Sequence, residues 1–120
     1  MANYKLIVSD LDGTLLNEKM EIGEKNDAAI CEFARRGILF APFSGRTRDE
    51  IPDTLINSPY VRYLSYSNGA VVYDKAEKKK IISNEISEHL SRKVIDVCKK
   101  YEVYIAVTKC ALLYCVQGRP

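Results

Sequence analysis

Two aspartates, Asp10 and Asp12, flank a single leucine in the stretch "VSDLDGTLLN", directly after an apolar run and just before a Gly-Thr pair. A second apolar run further along ends in "FSGR", which carries Ser44, Gly45 and Arg46. Asp and Gly both favour turns, so one reading of the first stretch is an acidic turn that closes a strand. The other reading is a phosphoryl-transfer site. A carboxylate can attack phosphorus and hold a covalent aspartyl-phosphate, which divides one hard displacement into two easier ones. Two like charges in a dry site need a cation, and a magnesium ion bridging Asp10 and phosphate oxygens would screen them and stabilise charge in transfer. Asp12 could then give a proton to the leaving oxygen and later take one from water, provided its surroundings set its pKa apart from that of Asp10. Gly13 permits the sharp turn, and the hydroxyls of Thr14 and Ser44 suit hydrogen bonds to phosphoryl oxygens. The pattern falls where a strand should end, and a second polar loop follows one strand-helix-strand unit later, so the site reading is the stronger of the two.

The elements around these residues must bring them together. "YKLIVS" (residues 4–9) reads as a short strand, apolar on both faces, as in a parallel sheet covered by helices. From Glu24 to Arg36, Ala28, Ala29, Ile30, Phe33 and Ala34 fit one helical face, and Gly37 suits the position after the helix. "ILFAPF" is a second strand, and the βαβ connection makes the two strands parallel. A second helix is expected over about residues 49–57, with Pro52 in its first turn. "VRYLSYS" is a third strand ending at "SNGA", where Asn-Gly is first of all a turn signal. "AVVYD" and "KIISNEI" flank "KAEKK" as an antiparallel hairpin, so Lys78, Lys79 and Lys80 belong to a solvated turn. Ser87 is placed to cap a helix running to about Lys100, and "VYIAVT" and "LLYCV" are two further strands. Pro42 inside a central strand removes a ladder donor and predicts a local bulge or irregularity. The pattern changes near residue 84, which divides the chain into expected domains of 1–84 and 85–120.

Composition narrows the function classes. The chain has 120 residues, 47% hydrophobic and 28% charged, with a formal charge of +2, values of a single soluble globular domain. That charge, without a basic stripe interleaved with aromatics, argues against nucleic-acid binding. No run is long enough to span a membrane, and the start lacks the pattern of a signal peptide. Cys31, Cys98, Cys110 and Cys115 are too irregularly spaced for a zinc knuckle or a redox pair, which points to reduced thiols and a cytoplasmic location. His89 has no ligand-type partner at useful spacing and reads as a surface residue.

"DLDGTLLN" resembles the first motif of the haloacid dehalogenase superfamily, and "FSGRT" resembles the second. The course from there through "YSNGAVVYD" is similar to the Cof-type sugar-phosphate phosphatases. The resemblance implies an α/β chain: a partial Rossmann-like core with a parallel sheet, followed by the first α-β-β unit of an α/β cap. It makes Asp10 the nucleophile and a Mg²⁺ ligand. Asp12 becomes the general acid/base, with its backbone carbonyl also on the metal. Ser44 would bind the phosphoryl group, Gly45 and Arg46 would complete its loop, and Asn68 would face the site near the hinge to the cap. The implied substrate is a small phosphorylated metabolite.

The family's third motif, a lysine, and its fourth, a Gly-Asp-rich loop, normally follow the cap, whereas this chain stops at "VQGRP". The expectation is therefore a truncated form of low or no activity. Two alternatives stay open: a non-catalytic module that binds phosphate or self-associates, and a phosphomutase. Without the strands that normally follow the cap, "YKLIV" becomes an apolar edge, which predicts poor solubility or a homodimer that covers it.

Overall fold

The computed structural model describes residues 4–101, 103–109 and 112–117. The backbone forms two compact units, Met1–Ser83 and Asn84–Pro120. The first is α/β. Strand β1 (Leu6–Ser9) leads through helix α1 (Glu24–Arg35) to β2 (Leu39–Pro42), and the two strands pair in parallel from Leu6↔Leu39 to Ser9↔Pro42. The helix starts with Glu24 and Asp27 in its first turn and ends with Arg35 in its last, the charge order that suits its dipole. Gly37, at φ 71°, supplies the left-handed conformation that stops it. Ile30 and Phe33 of this helix pack with Ile7 and Phe40 of the sheet, in a core that also holds Leu11, Leu15, Leu55 and Leu64.

Strands β3 (Tyr63–Tyr66), β4 (Val71–Asp74) and β5 (Lys79–Ser83) form an antiparallel sheet in that order. Two isolated parallel bridges, Phe40↔Val61 and Phe43↔Ser65, tie β2 to β3. Between these bridges three steps along β2 face four along β3, so the register slips by one residue. Pro42 explains the slip. The N–H groups of Leu39 and Phe43 donate to Lys5 and Ser9 of the β1 side, whereas Ser44 N–H donates to Ser65 of the β3 side. By alternation the N–H missing at Pro42 would have faced β3, and there the ladder breaks. The irregularity expected from the sequence is present, on that side alone. The pairing with β1 runs through without interruption.

Two expectations need correction. Strand β1 is not buried on both faces: Leu6 and Val8 are 44% and 50% exposed, because no described residue covers their face, while Ile7 packs inward. The second helix does not run from 49 to 57. A 3₁₀ turn, Arg48–Glu50, is separated from the single-turn helix α2 (Asp53–Ile56) by Pro52, whose ψ of 134° is extended. A proline inside a helix lacks a donor and clashes with the preceding turn, so the chain restarts after it. A small hairpin after "DGTLL" was also unforeseen. It has a bridge Leu16↔Ile22, and Asn17 Oδ1 accepts from the N–H groups of Lys19 and Glu21, an Asx turn.

The second unit holds α3 (Glu88–Cys98) and the antiparallel pair β6 (Tyr104–Lys109) and β7 (Leu112–Gln117). Ser87 caps α3, its Oγ accepting from Leu90 N–H at 3.3 Å. His89 is exposed, as expected. Cys31 and Cys98 are free thiols; Cys110 and the side chain of Cys115 lie outside the described residues. Among the described residues, no helix is long and apolar enough to cross a membrane.

Candidate active site

Asp10 follows β1 directly, in an extended conformation. Its Oδ1 accepts from Leu11 N–H at 2.7 Å, and its other oxygen has no partner among the described residues. Leu11 and Leu15 are buried, so the coil between them is anchored from below while Asp12, Gly13 and Thr14 stay exposed. Gly13 turns at φ 71°, a conformation that a side chain disfavours.

The "FSGR" loop is held from two directions. Phe43 N–H donates to Ser9 C=O at 2.8 Å, which couples the ends of β1 and β2. On the other side Ser44 N–H donates to Ser65 C=O (3.2 Å), Asn68 N–H to Ser44 C=O (3.0 Å) and Ser67 N–H to Arg46 C=O (2.8 Å). Ser67, Asn68 and Gly69 all have positive φ, of 52°, 54° and 85°. That tight left-handed turn brings the Asn68 side chain back over the loop. A Cβ on Gly45 would lie 2.9 Å from Asn68 Oδ1, so only glycine admits this approach unchanged. The result is an open cavity of about 310 Å³ lined by Asp10, Phe43, Ser44, Gly45, Asn68 and Gly69.

The cavity therefore unites Asp10, Ser44, Gly45 and Asn68. Ser44 is buried, its Oγ accepting from Arg46 N–H at 3.1 Å. Thr14 is exposed and does not line the cavity. Asp12 and Arg46 do not line it either, and they bind each other: Arg46 Nε donates to Asp12 Oδ2 at 2.9 Å and Nη2 to Oδ1 at 2.7 Å. Arg46 Nη1 donates to Glu50 C=O at 2.7 Å. The hydrogen-bonded guanidinium holds the Asp12 carboxyl below the ordinary carboxylate value, and the same contact raises the pKa of Arg46. In this arrangement Asp12 is an anion, with the guanidinium engaging both its oxygens.

The sequence reading missed the apolar wall of Phe43 and the support beneath Arg46. Thr47 and Glu50 form a reciprocal capping box, Thr47 N–H donating to Glu50 Oε2 at 2.8 Å. "TRDE" carries the Ser/Thr-x-x-Glu signature of that box, which was available in the sequence.

Among the described residues, no three His, Cys, Asp or Glu side chains converge on one point. The one carboxylate that lines the cavity, Asp10, does not make an all-protein cage. Its unpartnered oxygen suits a hard cation that keeps most of its shell as water and phosphate oxygens.

A family model described as haloacid dehalogenase-like hydrolase matches residues 7–118. A protein of Buchnera aphidicola subsp. Baizongia pistaciae is 33% identical over 97 residues, 79% of this chain and 35% of that protein. The phosphatase YwpJ of Bacillus subtilis is 34% identical over 70 residues, 58% of this chain and 25% of that protein. A solved haloacid dehalogenase-like hydrolase from B. subtilis superposes with a TM-score of 0.77 at 27% identity, covering 96% of this chain and 40% of that one. The chain thus spans a quarter to about a third of the length of the curated relatives it matches.

Proposed function

This chain belongs to the haloacid dehalogenase-like hydrolases, and from that premise we propose that it carries the nucleophile half of a magnesium-dependent phosphatase acting on a small phosphorylated metabolite. The observation that carries the reading is the shared cavity of Asp10, Ser44 and Asn68 at the carboxyl ends of β1 and β2 and the turn after β3. In an open α/β sheet, ligands bind in the crevice at those ends. The relatives named as phosphatases support the same reading.

In the proposed reaction the free oxygen of Asp10 bonds to phosphorus as the bond to the leaving oxygen breaks. Asp12 gives its proton to that oxygen. A water molecule, giving a proton back to Asp12, then displaces Asp10 and releases phosphate. Ser44 Oγ and the Asn68 amide orient the phosphoryl oxygens. Asp10 and the Asp12 carbonyl would hold Mg²⁺, which supplies charge stabilisation when bound. Arg46 sets a condition on this scheme. It favours the anionic form of Asp12, so proton donation requires the guanidinium to loosen its grip. Residues 1–84 are the core part in this proposal, and 85–120 the opening of a cap.

A second reading, a module that binds phosphate without turnover, is favoured by one observation: among the described residues, no lysine lines the cavity. One experiment separates the two. Hydrolysis of p-nitrophenyl phosphate that depends on Mg²⁺ and is lost in Asp10→Asn supports the enzyme. Saturable phosphate-induced shifts of the 44–46 and 68–69 amides without hydrolysis support the module. Hydrolysis that survives Asp10→Asn overturns the assignment of the nucleophile.

A further inference from the structure

A second cavity, of about 380 Å³, lies at the opposite ends of the same strands. It is bounded by the last turn of α1, the start of β2, the loop before β3 and the turn after β4. Ala34, Leu39, Pro59, Tyr60 and Val61 give it apolar walls, and among the described residues no acidic side chain lines it. Lys75 does, and it is the unusual residue of this unit. It is half-buried, its Nζ donates to Ser58 C=O at 2.6 Å, and among the described residues it forms no ion pair. Neighbouring cations are differently placed: Arg62 Nη2 lies 2.9 Å from Asp74 Oδ2, and Arg36 Nε lies 2.7 Å from Glu32 Oε1. A half-buried ammonium with protons to spare and no counter-charge favours an anion at the cavity mouth. Burial already costs this cation, and its pKa is lowered accordingly.

The walls and the charges restrict which anion fits. Arg62 lines the cavity too, but Asp74 neutralises it. The carbonyl end of α1, at the same place, repels excess negative charge. A dianionic phosphate would lose hydration against Leu39, Tyr60 and Val61 and meet one free cation. A monoanion with a flat apolar body meets the same cation at lower desolvation cost and covers the walls.

We infer that this cavity is a second binding site, for a small carboxylate with a flat apolar body, held by Lys75 and packed against Leu39, Tyr60 and Val61. It is separate from the Asp10 site and does not depend on the function proposed there.

Amide spectra of the 120-residue chain, titrated with benzoate, inorganic phosphate or benzyl alcohol, test the inference. Benzoate is expected to shift residues 58–62 and 75–76 saturably in the millimolar range, and benzyl alcohol, which lacks the charge, is not. Lys75→Met should weaken benzoate by about tenfold or more, the worth of one charge-assisted hydrogen bond. Lys75→Arg should retain binding, which guards against a variant that merely unfolds. The inference is overturned if benzoate gives no saturable shift, if folded Lys75→Met binds it equally, or if phosphate binds this cavity as tightly as benzoate.

Discussion

Arg46 grips Asp12 with both arms of its guanidinium, Nε 2.9 Å from Oδ2 and Nη2 2.7 Å from Oδ1. The arginine is the better buried partner, with its side chain 18% exposed against 49% for Asp12. It is fixed from behind by Glu50 C=O and touched by Met20 Sδ at 3.7 Å. The positioned group in this pair is therefore the acid. The candidate acid/base residue stands beside the cavity on a tether instead of pointing freely into it.

The tether has a direct readout. In the native chain the Asp12 carboxyl should titrate below the ordinary value of 3.8. In Arg46→Ala it should move up toward that value, and Arg46→Lys, without the planar fork, should restore only part of the depression. Carboxyl carbon shifts followed from pH 7 downward measure this. Identical Asp12 curves in native protein and Arg46→Ala would show that the pair does not persist in solution.

Gly45 is expected to tolerate alanine in the fold but not in the site. The added Cβ meets the far end of the Asn68 side chain, at 2.9 Å, and that exposed side chain can move. Stability should change by about 1 kcal/mol or less, while the Asn68 side-chain amide resonances shift and phosphate binding weakens. Unchanged Asn68 resonances in Gly45→Ala would contradict the close approach.

Asp74 gives the first unit a dependence on acid. Burial pushes its carboxyl up, but N–H groups of Glu77 and Ala76 and the Arg62 guanidinium outweigh that and leave it below the ordinary value of 3.8. A depressed folded pKa means that the stabilisation is complete above the unfolded value and is lost as pH falls through the folded one. The urea midpoint should therefore decline below about pH 4, and less steeply in Asp74→Asn. At pH 7 Asp74→Asn should lower the midpoint more than Glu32→Gln does, since Glu32 is the more exposed and its ion pair lies on the surface.

Leu64 and Ser65, adjacent in β3 and both fully buried, should respond oppositely to truncation. Leu64→Ala removes core volume and should cost about 2–5 kcal/mol. Ser65 Oγ is buried without a hydrogen-bond partner among the described residues, so Ser65→Ala removes an uncompensated polar group and should be neutral or stabilising by up to about 1 kcal/mol. Denaturant unfolding of the two variants checks the contrast, and a large loss in Ser65→Ala would reveal a partner for the hydroxyl.

The outer edge of β1 is expected to pair with a second copy of the chain. Lys5 and Ser9 spend their carbonyls on β2, so by alternation Leu6 and Val8 turn their backbone groups toward the edge that no described strand pairs, while their half-exposed apolar side chains lie on the uncovered face. Sizing chromatography over a range of concentrations should show self-association, reduced in Val8→Lys. A concentration-independent monomer would remove this expectation.

Much of this arrangement was present in local sequence. Two apolar runs that each end in a polar residue, joined by a helix with its stop at Gly37, dictate parallel strands whose ends carry Asp10 and Ser44. Periodicity and turn chemistry act over a few residues, and those few residues contain them. Other features depended on competition or on distant partners. Pro52 broke a helix that the apolar spacing alone would have continued. Exposure of Leu6 and Val8 depended on whether anything covers their face, which β1 does not encode. The contact between Asp12 and Arg46 spans 34 positions, and position in the "FSGR" loop directed Arg46 to phosphate instead. Only the tertiary structure could assign that guanidinium, because its partner is set by how β1 and β2 register and by the support of Glu50, and no local pattern carries either distance.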